Sequence, residues 1–250
     1  MMSHNRLETD MAFKCAELIN QAESIAALTG AGISTNAGIP DFRGPKGLYV
    51  TRKYDPDKVF DIFSFHQDPK PFFDFARDFI NLYETIQPTF THRLLTELER
   101  RGKLKGIITQ NIDALHQMGG SKQVYEIHGS FLKSTCLDCG CAFTLEEAKR
   151  KLFEEIVPRC DCGGIIKPDI VFFGENVKHL NEAADLAARV DLFFVIGTSC
   201  VVYPAAMLPS YVSGKIVVVN QTQTPLRLPN VVLTVKDEVD QFFRKVAEYV

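Results

Sequence analysis

The sequence predicts an α/β protein built on a doubly wound parallel sheet, with a smaller second lobe inserted into it. Three observations carry that expectation. Short apolar, β-branched runs alternate with helix-period stretches along most of the chain. A glycine-rich turn follows directly on the first of those runs. Two stretches, 44–88 and 134–164, break the alternation, one rich in phenylalanine and the other in cysteine.

The elements follow in order. Met11, Cys15, Leu18, Ile19 and Ala22 recur at helical spacing and lead into a strand at 25–28. The aromatic stretch holds Phe60, Phe63, Phe65, Phe72, Phe73, Phe75 and Phe79 between prolines, and reads as a small helical module with an apolar face. A helix at 94–101 precedes strands at 106–109 and 124–127, and a charged helix at 145–155 lies among the cysteines. Residues 192–196, 216–219 and 231–235 are apolar enough for strands covered on both faces. Helices at 183–189, 205–212 and 239–249 fit between and after them.

Composition excludes several classes. The 250 residues are 46% hydrophobic and 24% charged, which fits a globular protein and not a disordered or fibrous one. A net charge of −3 without a basic stripe gives no electrostatic case for nucleic-acid or membrane-surface binding. No apolar run approaches the roughly 18 residues of a membrane span. The polar start lacks a signal-peptide core, so a cytoplasmic location is expected.

Five of the seven cysteines lie within 136–162. Cys136-x-x-Cys139 and Cys160-x-Cys162, 20 residues apart, have the spacing of a two-knuckle zinc ribbon. Four thiolates close the tetrahedron, so one structural zinc is expected, with Cys141 an alternative ligand because the second knuckle is a residue short. Cys15 reads as a core residue; Cys200 has no assigned role.

The glycine loop, Thr29-Gly30-Ala31-Gly32-Ile33-Ser34-Thr35, suits a pyrophosphate at a helix N-terminus. It departs from the dinucleotide fingerprint, with Thr35 at the third glycine place and no acidic residue closing a second strand. Asp41-Phe42-Arg43 offers an acid, a ring and a guanidinium for a cofactor with an aromatic ring and phosphates. Gln110, Asn111 and Asp113 stand at the carboxyl end of a strand, where open α/β sheets bind ligands, and Asn220 ends another strand as a candidate for ribose hydroxyls. His128 ends a third strand just before Gly129 and is the candidate general base. His4, His66, His92, His116 and His179 read as surface or packing residues.

Taken together, Gly30-Ala31-Gly32-Ile33-Ser34, 38–44, 109–113, His128-Gly129, the paired cysteines, 167–175, Gly197-Thr198-Ser199 with Val202-Tyr203-Pro204, and Val219-Asn220 resemble the sirtuin family of NAD-dependent protein deacylases. The motifs run in family order over nearly the whole chain. The resemblance implies a Rossmann-like NAD-binding domain (1–43, 89–131 and 168–250) and a small lobe formed by a helical insert (44–88) and a zinc-ribbon insert (132–167). It implies that NAD and an acyl-lysine protein or peptide meet between them. The acyl oxygen would displace nicotinamide to give an alkylimidate, and the products would be free lysine, nicotinamide and 2′-O-acyl-ADP-ribose.

His128 would then be the general base and Asn111 would orient ribose and water. Ile112 and Asp113, next to Gln110, would hold the nicotinamide end; Phe42 would shield the ribose, with Ala31, Thr35 and Arg43 securing the loop contact. Ser199, Asn220, Asp237 and Glu238 would bind the ribose and adenine end, and Val171 and Phe173 would line the lysine tunnel. Relatives that take acidic acyl groups carry a Tyr-x-x-Arg where this chain has Ala76 and Phe79, so acetyl or another neutral acyl group is expected. A mono-ADP-ribosyltransferase using the same cleft is the alternative activity. A zinc-ribbon binding module is the rival of another class, and it would leave the remaining motifs unexplained.

Overall fold

The computed structural model describes residues 2–40 and 54–250. In chain order, α1 (Met2–Gln21) and β1 (Ile25–Thr29) lead into two short 3-10 turns, Ala31–Ile33 and Thr35–Ala37. The aromatic insert folds as α2 (Pro56–Val59), α3 (Ile62–Gln67) and α4 (Lys70–Tyr83), followed by α5 (Phe90–Arg100), β2 (Leu104–Thr109), α6 (Leu115–Met118) and β3 (Val124–Glu126). The cysteine-rich part holds β4 (Gly129–Cys136), β5 (Ala142–Thr144), α7 (Leu145–Glu154) and β6 (Ile166–Ile170). The chain closes with α8 (Leu180–Arg189), β7 (Leu192–Ile196), a 3-10 segment (Ala205–Tyr211), β8 (Lys215–Val219), β9 (Val231–Val235) and α9 (Val239–Val246).

The main sheet has the order β3-β2-β1-β7-β8-β9, and every pairing in it is parallel. The chain winds outward from β1 to β2 and β3, then returns beside β1 and winds the other way. The order therefore reverses between β1 and β7, and a crevice opens at their carboxyl ends. Alternate residues of the buried strands feed two cores. Ile25 and Ala27 pack with Cys15, Ile19, Leu95, Phe242 and Phe243, while Ala26 and Leu28 pack with Ala183, Ala187, Ala205 and Leu208. Cys15 is thus the core residue its helical position indicates.

The expected 205–212 helix is a 3-10 segment instead, with Pro209 inside it. Proline lacks the N–H that an α-helical ladder needs. β2 starts two residues before the expected boundary, and α8 three residues before.

Strands β5-β4-β6 form a separate antiparallel sheet under the cysteines. Six phenylalanines of the insert build a third core, in which Phe60, Phe65, Phe72, Phe73, Phe75 and Phe79 pack with Phe131 and Phe172, whereas Phe63 is exposed. Arg77 ties this module to the zinc-ribbon insert by donating to the carbonyls of Leu152 (3.0 Å) and Ile156 (2.6 Å). Among the described residues, no helix is long and apolar enough to cross a membrane.

Candidate active site

A cavity of about 700 Å³ occupies the crevice at the β1–β7 reversal and extends to the helical insert. It is lined by Ala31, Thr35, Gln110, Asn111, Ile112, Asp113, His128, Val171, Phe173, Ser199, Asn220 and Glu238, so it gathers most of the expected site residues. Two do not fit that picture and two cannot be placed. Asp237 is not on the wall: its carboxylate accepts from the Glu238 amide at 2.7 Å and faces Lys245 at 3.8 Å. Ala76 is fully buried behind the wall, whereas Phe79 is on it. Phe42 and Arg43 lie outside the described residues.

The glycine loop differs physically from the expectation. Among the described residues it runs into two short 3-10 turns, Ala31–Ile33 and Thr35–Ala37, rather than an α-helix. The glycines instead let the loop lie against the end of β7. Gly32 N donates to Gly197 O at 2.8 Å, and a Cβ on Gly32 would sit 2.7 Å from the Gly197 Cα. Ser34, which the sequence did not single out, joins two site residues. It donates to Asp113 Oδ2 at 2.6 Å and accepts from Asn111 Nδ2 at 3.1 Å. Asn111 Nδ2 also reaches Gly30 O at 3.2 Å, which fixes the side chain against the loop. Burial raises Asp113 above the ordinary carboxylate value, and the hydrogen bonds from Ser34 and the Leu115 amide oppose that rise.

His128 stands where β3 gives way to β4. Its Nδ1 lies 2.9 Å from Gln110 O, an acceptor only, so in the neutral ring Nδ1 carries the proton and Nε2 keeps the lone pair. The Gln110 carbonyl is itself fixed, because Gln110 N donates to Thr29 O (3.0 Å) and its side chain to Thr198 Oγ1 (3.0 Å). Burial lowers the His128 pKa below 6.5, partly offset by the Gln110 carbonyl, so the ring is a neutral acceptor at neutral pH. The next residue must be glycine. Gly129 has φ +73°, and a Cβ there would meet Asp169 O at 1.9 Å. The segment after β6 comes back to the same point, with Val171 N donating to His128 O at 2.8 Å.

At the far end, Asn220 Nδ2 donates to Thr222 O (3.1 Å), while the Glu238 carboxylate caps α9 through the Asp240 and Gln241 amides (2.9 and 2.7 Å). The helical insert, which the resemblance sets beside the cleft, supplies one wall. Phe75, Asp78, Phe79 and Leu82 line the cavity, and their i, i+3, i+4, i+7 spacing was the available signal. His92 and His116 are packing residues, fully buried with rings 4.6 Å apart.

The sulfurs of Cys136, Cys139, Cys160 and Cys162 all lie within 4.8 Å of one another, with Cys136–Cys162 at 3.5 Å and Cys139–Cys160 at 3.6 Å. A tetrahedral zinc with bonds of about 2.3 Å needs sulfurs about 3.8 Å apart, so the set fits one closed zinc site. The short second knuckle works because Gly163, at φ +92°, turns the chain, its amide bonded to Cys160 O at 2.8 Å. Cys141 is exposed and outside the four-sulfur set.

Residues 30–204 match the family model described as the Sir2 family. The chain belongs to the Sir2 family. A relative from Thermotoga maritima, described as an NAD-dependent protein deacetylase, is 44% identical over 240 residues, covering 93% of this chain and 95% of its own. A solved Sir2–p53 peptide–NAD⁺ complex matches with a TM-score of 0.86 at 42% identity, over 94% of this chain and 96% of that one. A Sir2 variant with a deacetylated p53 peptide and 3′-O-acetyl-ADP-ribose matches with a TM-score of 0.87 at 43% identity, over the same shares. In this chain the Gly30 loop is held against the end of β7, through Gly197.

Proposed function

We propose that the protein is an NAD-dependent protein deacetylase. It takes acetyl, or another neutral acyl group, from lysine side chains and yields nicotinamide and O-acyl-ADP-ribose. The observation that carries this reading is the placement of His128. Its Nε2 is left as the acceptor, and its carbonyl accepts from Val171 N at the start of the segment after β6 that carries Val171 and Phe173 onto the cavity wall.

The described residues fit NAD. The crevice lies at the sheet reversal, Gly32 keeps the loop flat enough to leave it open, and amide and carboxylate groups stand at both ends. NAD, when bound, supplies a ribose carbon with nicotinamide as leaving group and neighbouring hydroxyls. Asn111 presents its carbonyl oxygen toward the ribose, because its amide nitrogen is held by Gly30 and Ser34. Asp113 and Ile112 hold the carboxamide end, and Ala31 and Thr35 line the loop side. Ser199, Asn220 and Glu238 receive the adenine end, and the resemblance assigns Phe42 and Arg43 to the ribose and loop contacts. With NAD bound and nicotinamide displaced by the acyl oxygen, His128 Nε2 would take the proton of a ribose hydroxyl as that oxygen bonds to the former acyl carbon. Val171 and Phe173 flank the acyl-lysine, and an extended peptide adds beside their strand.

In this reading 44–88 and 132–167 form the small lobe, and the four cysteines hold one zinc for structure. A cytoplasmic protein without direct nucleic-acid binding is the companion expectation, resting on charge and composition. The test is a pair of variants. His128→Ala should lose about 10²–10⁴-fold in deacetylation while keeping NAD affinity and much of its nicotinamide exchange. Asn111→Ala should weaken exchange and deacetylation together. Near wild-type deacetylation in His128→Ala would refute the assignment; transfer of ADP-ribose to protein without deacetylation would favour the transferase instead.

A further inference from the structure

Lysine 167 is nearly buried, its side chain 7% exposed, and it does not line the cavity. Its Nζ donates to Ile170 O at 2.7 Å and to Glu175 Oε2 at 3.0 Å, and it lies 4.2 Å from the centre of the Phe172 ring. The same Glu175 oxygen accepts from Phe172 N at 2.7 Å. Glu175 N returns to Phe172 O at 3.0 Å, closing a turn in which Gly174 has φ +93°. A buried ammonium costs stability unless its donors are matched, and here they are spent on one short segment, 167–175.

That segment is also stitched to both sides of the crevice. Val171 N donates to His128 O at 2.8 Å. Phe173 N donates to Phe60 O at 2.7 Å, and Ile62 N to Phe173 O at 3.1 Å. The Lys167–Glu175 pair therefore braces the stretch between the residue carrying the base and the helical insert. Without the ammonium, the Ile170 carbonyl and the Glu175 carboxylate would lose a donor, and the turn displaying Phe173 would lose its anchor.

We infer that Lys167 and Glu175 are positioning residues that hold Val171 and Phe173 in register with His128 for the acyl-lysine. This deepens the deacetylase reading and rests on it. The effect should fall on the peptide, because Asn111, Asp113 and Asn220 are held by other loops and make no contact through this brace.

The test compares wild type, Lys167→Met and Lys167→Arg, using an acetyl-lysine peptide, NAD and amide hydrogen exchange across 170–175. In Lys167→Met the peptide KM should rise about 10-fold, as expected for losing hydrogen bonds to a buried charge, while kcat and the NAD KM stay within about twofold. The Phe172 amide should exchange at least about 10-fold faster, and Lys167→Arg should recover most of both changes. If Lys167→Met fails to fold, Lys167→Gln, which keeps a donor but removes the charge, should show the same split at smaller size. An unchanged exchange rate and peptide KM, or an equal rise in both Michaelis constants, would overturn the brace. Exchange needs no turnover, so the two readings fail separately: slow exchange in the variants sinks the brace, and a wild type inert on the peptide sinks the deacetylase.

Discussion

Substituting Gly129→Ala tests how tightly the candidate base is coupled to the substrate strand. The added Cβ would lie 1.9 Å from Asp169 O and 2.9 Å from the Ile170 Cα, so β6 must retreat by about 1.5 Å or more to reach an ordinary contact. At φ +73° an alanine also carries left-handed strain of about 1–2 kcal/mol. Retreat of β6 stretches the 2.8 Å bond from Val171 N to His128 O, and one or two lost backbone bonds add about 0.5–1.5 kcal/mol each. The sum is a destabilisation of about 1.5–5 kcal/mol, a large part of the roughly 5–15 kcal/mol of an ordinary domain. Urea unfolding reads that loss, and steady-state kinetics should show the peptide KM rising while NAD binding holds. A stability change under about 0.5 kcal/mol with unaltered peptide KM would refute the close-approach argument.

Three further outcomes follow from the same geometry. Strong chelation should remove one zinc per chain and unfold the β4–β6 region, since site formation is coupled to folding; full thermal stability after complete metal removal would contradict a structural zinc. Acetyl-lysine peptides should exceed succinyl ones in kcat/KM by about 10-fold or more, because Phe79 and the Asp78 carboxylate are on the wall and no cation stands at Ala76; a preference for succinyl would overturn this. The rate should rise with pH and level off, since only neutral His128 accepts a proton. Burial lowers its pKa, so the midpoint should fall below 6.5, lower than the 6–7 expected for an unperturbed ring, and a midpoint above 7 would point to another base.

Much of this was legible in the chain because the signals were local. Strand 192–196 is legible because residues buried on both faces must be continuously apolar, and the edge strand 231–235, with Thr234 exposed, because it is β-branched at four of five positions. The four cysteines carry their geometry in their spacing, and His128 could be placed because a strand end with a following glycine is a local pattern. What stayed hidden depends on residues distant in sequence. Ser34 becomes part of the site only when the 109–113 loop lies beside it, and the Gly32–Gly197 contact joins segments 165 positions apart. Asp237 looked like a ligand group beside Glu238, but its carboxylate is turned to the Glu238 amide and Lys245, away from the cavity. Nothing local distinguishes the two acids. The α4 stripe reads as an apolar face and only Phe79 as a site position, because one helix face serves both the aromatic core and the cavity.

The most direct measurement is mass spectrometry of an acetyl-lysine peptide incubated with NAD and the purified protein, with and without the His128→Ala substitution. The account predicts that wild type removes the acetyl group and releases nicotinamide and O-acetyl-ADP-ribose in equal amounts, and that His128→Ala makes little of that product. Acetate release without O-acetyl-ADP-ribose, deacetylation that proceeds without NAD, or ADP-ribose attached to the peptide would each contradict it.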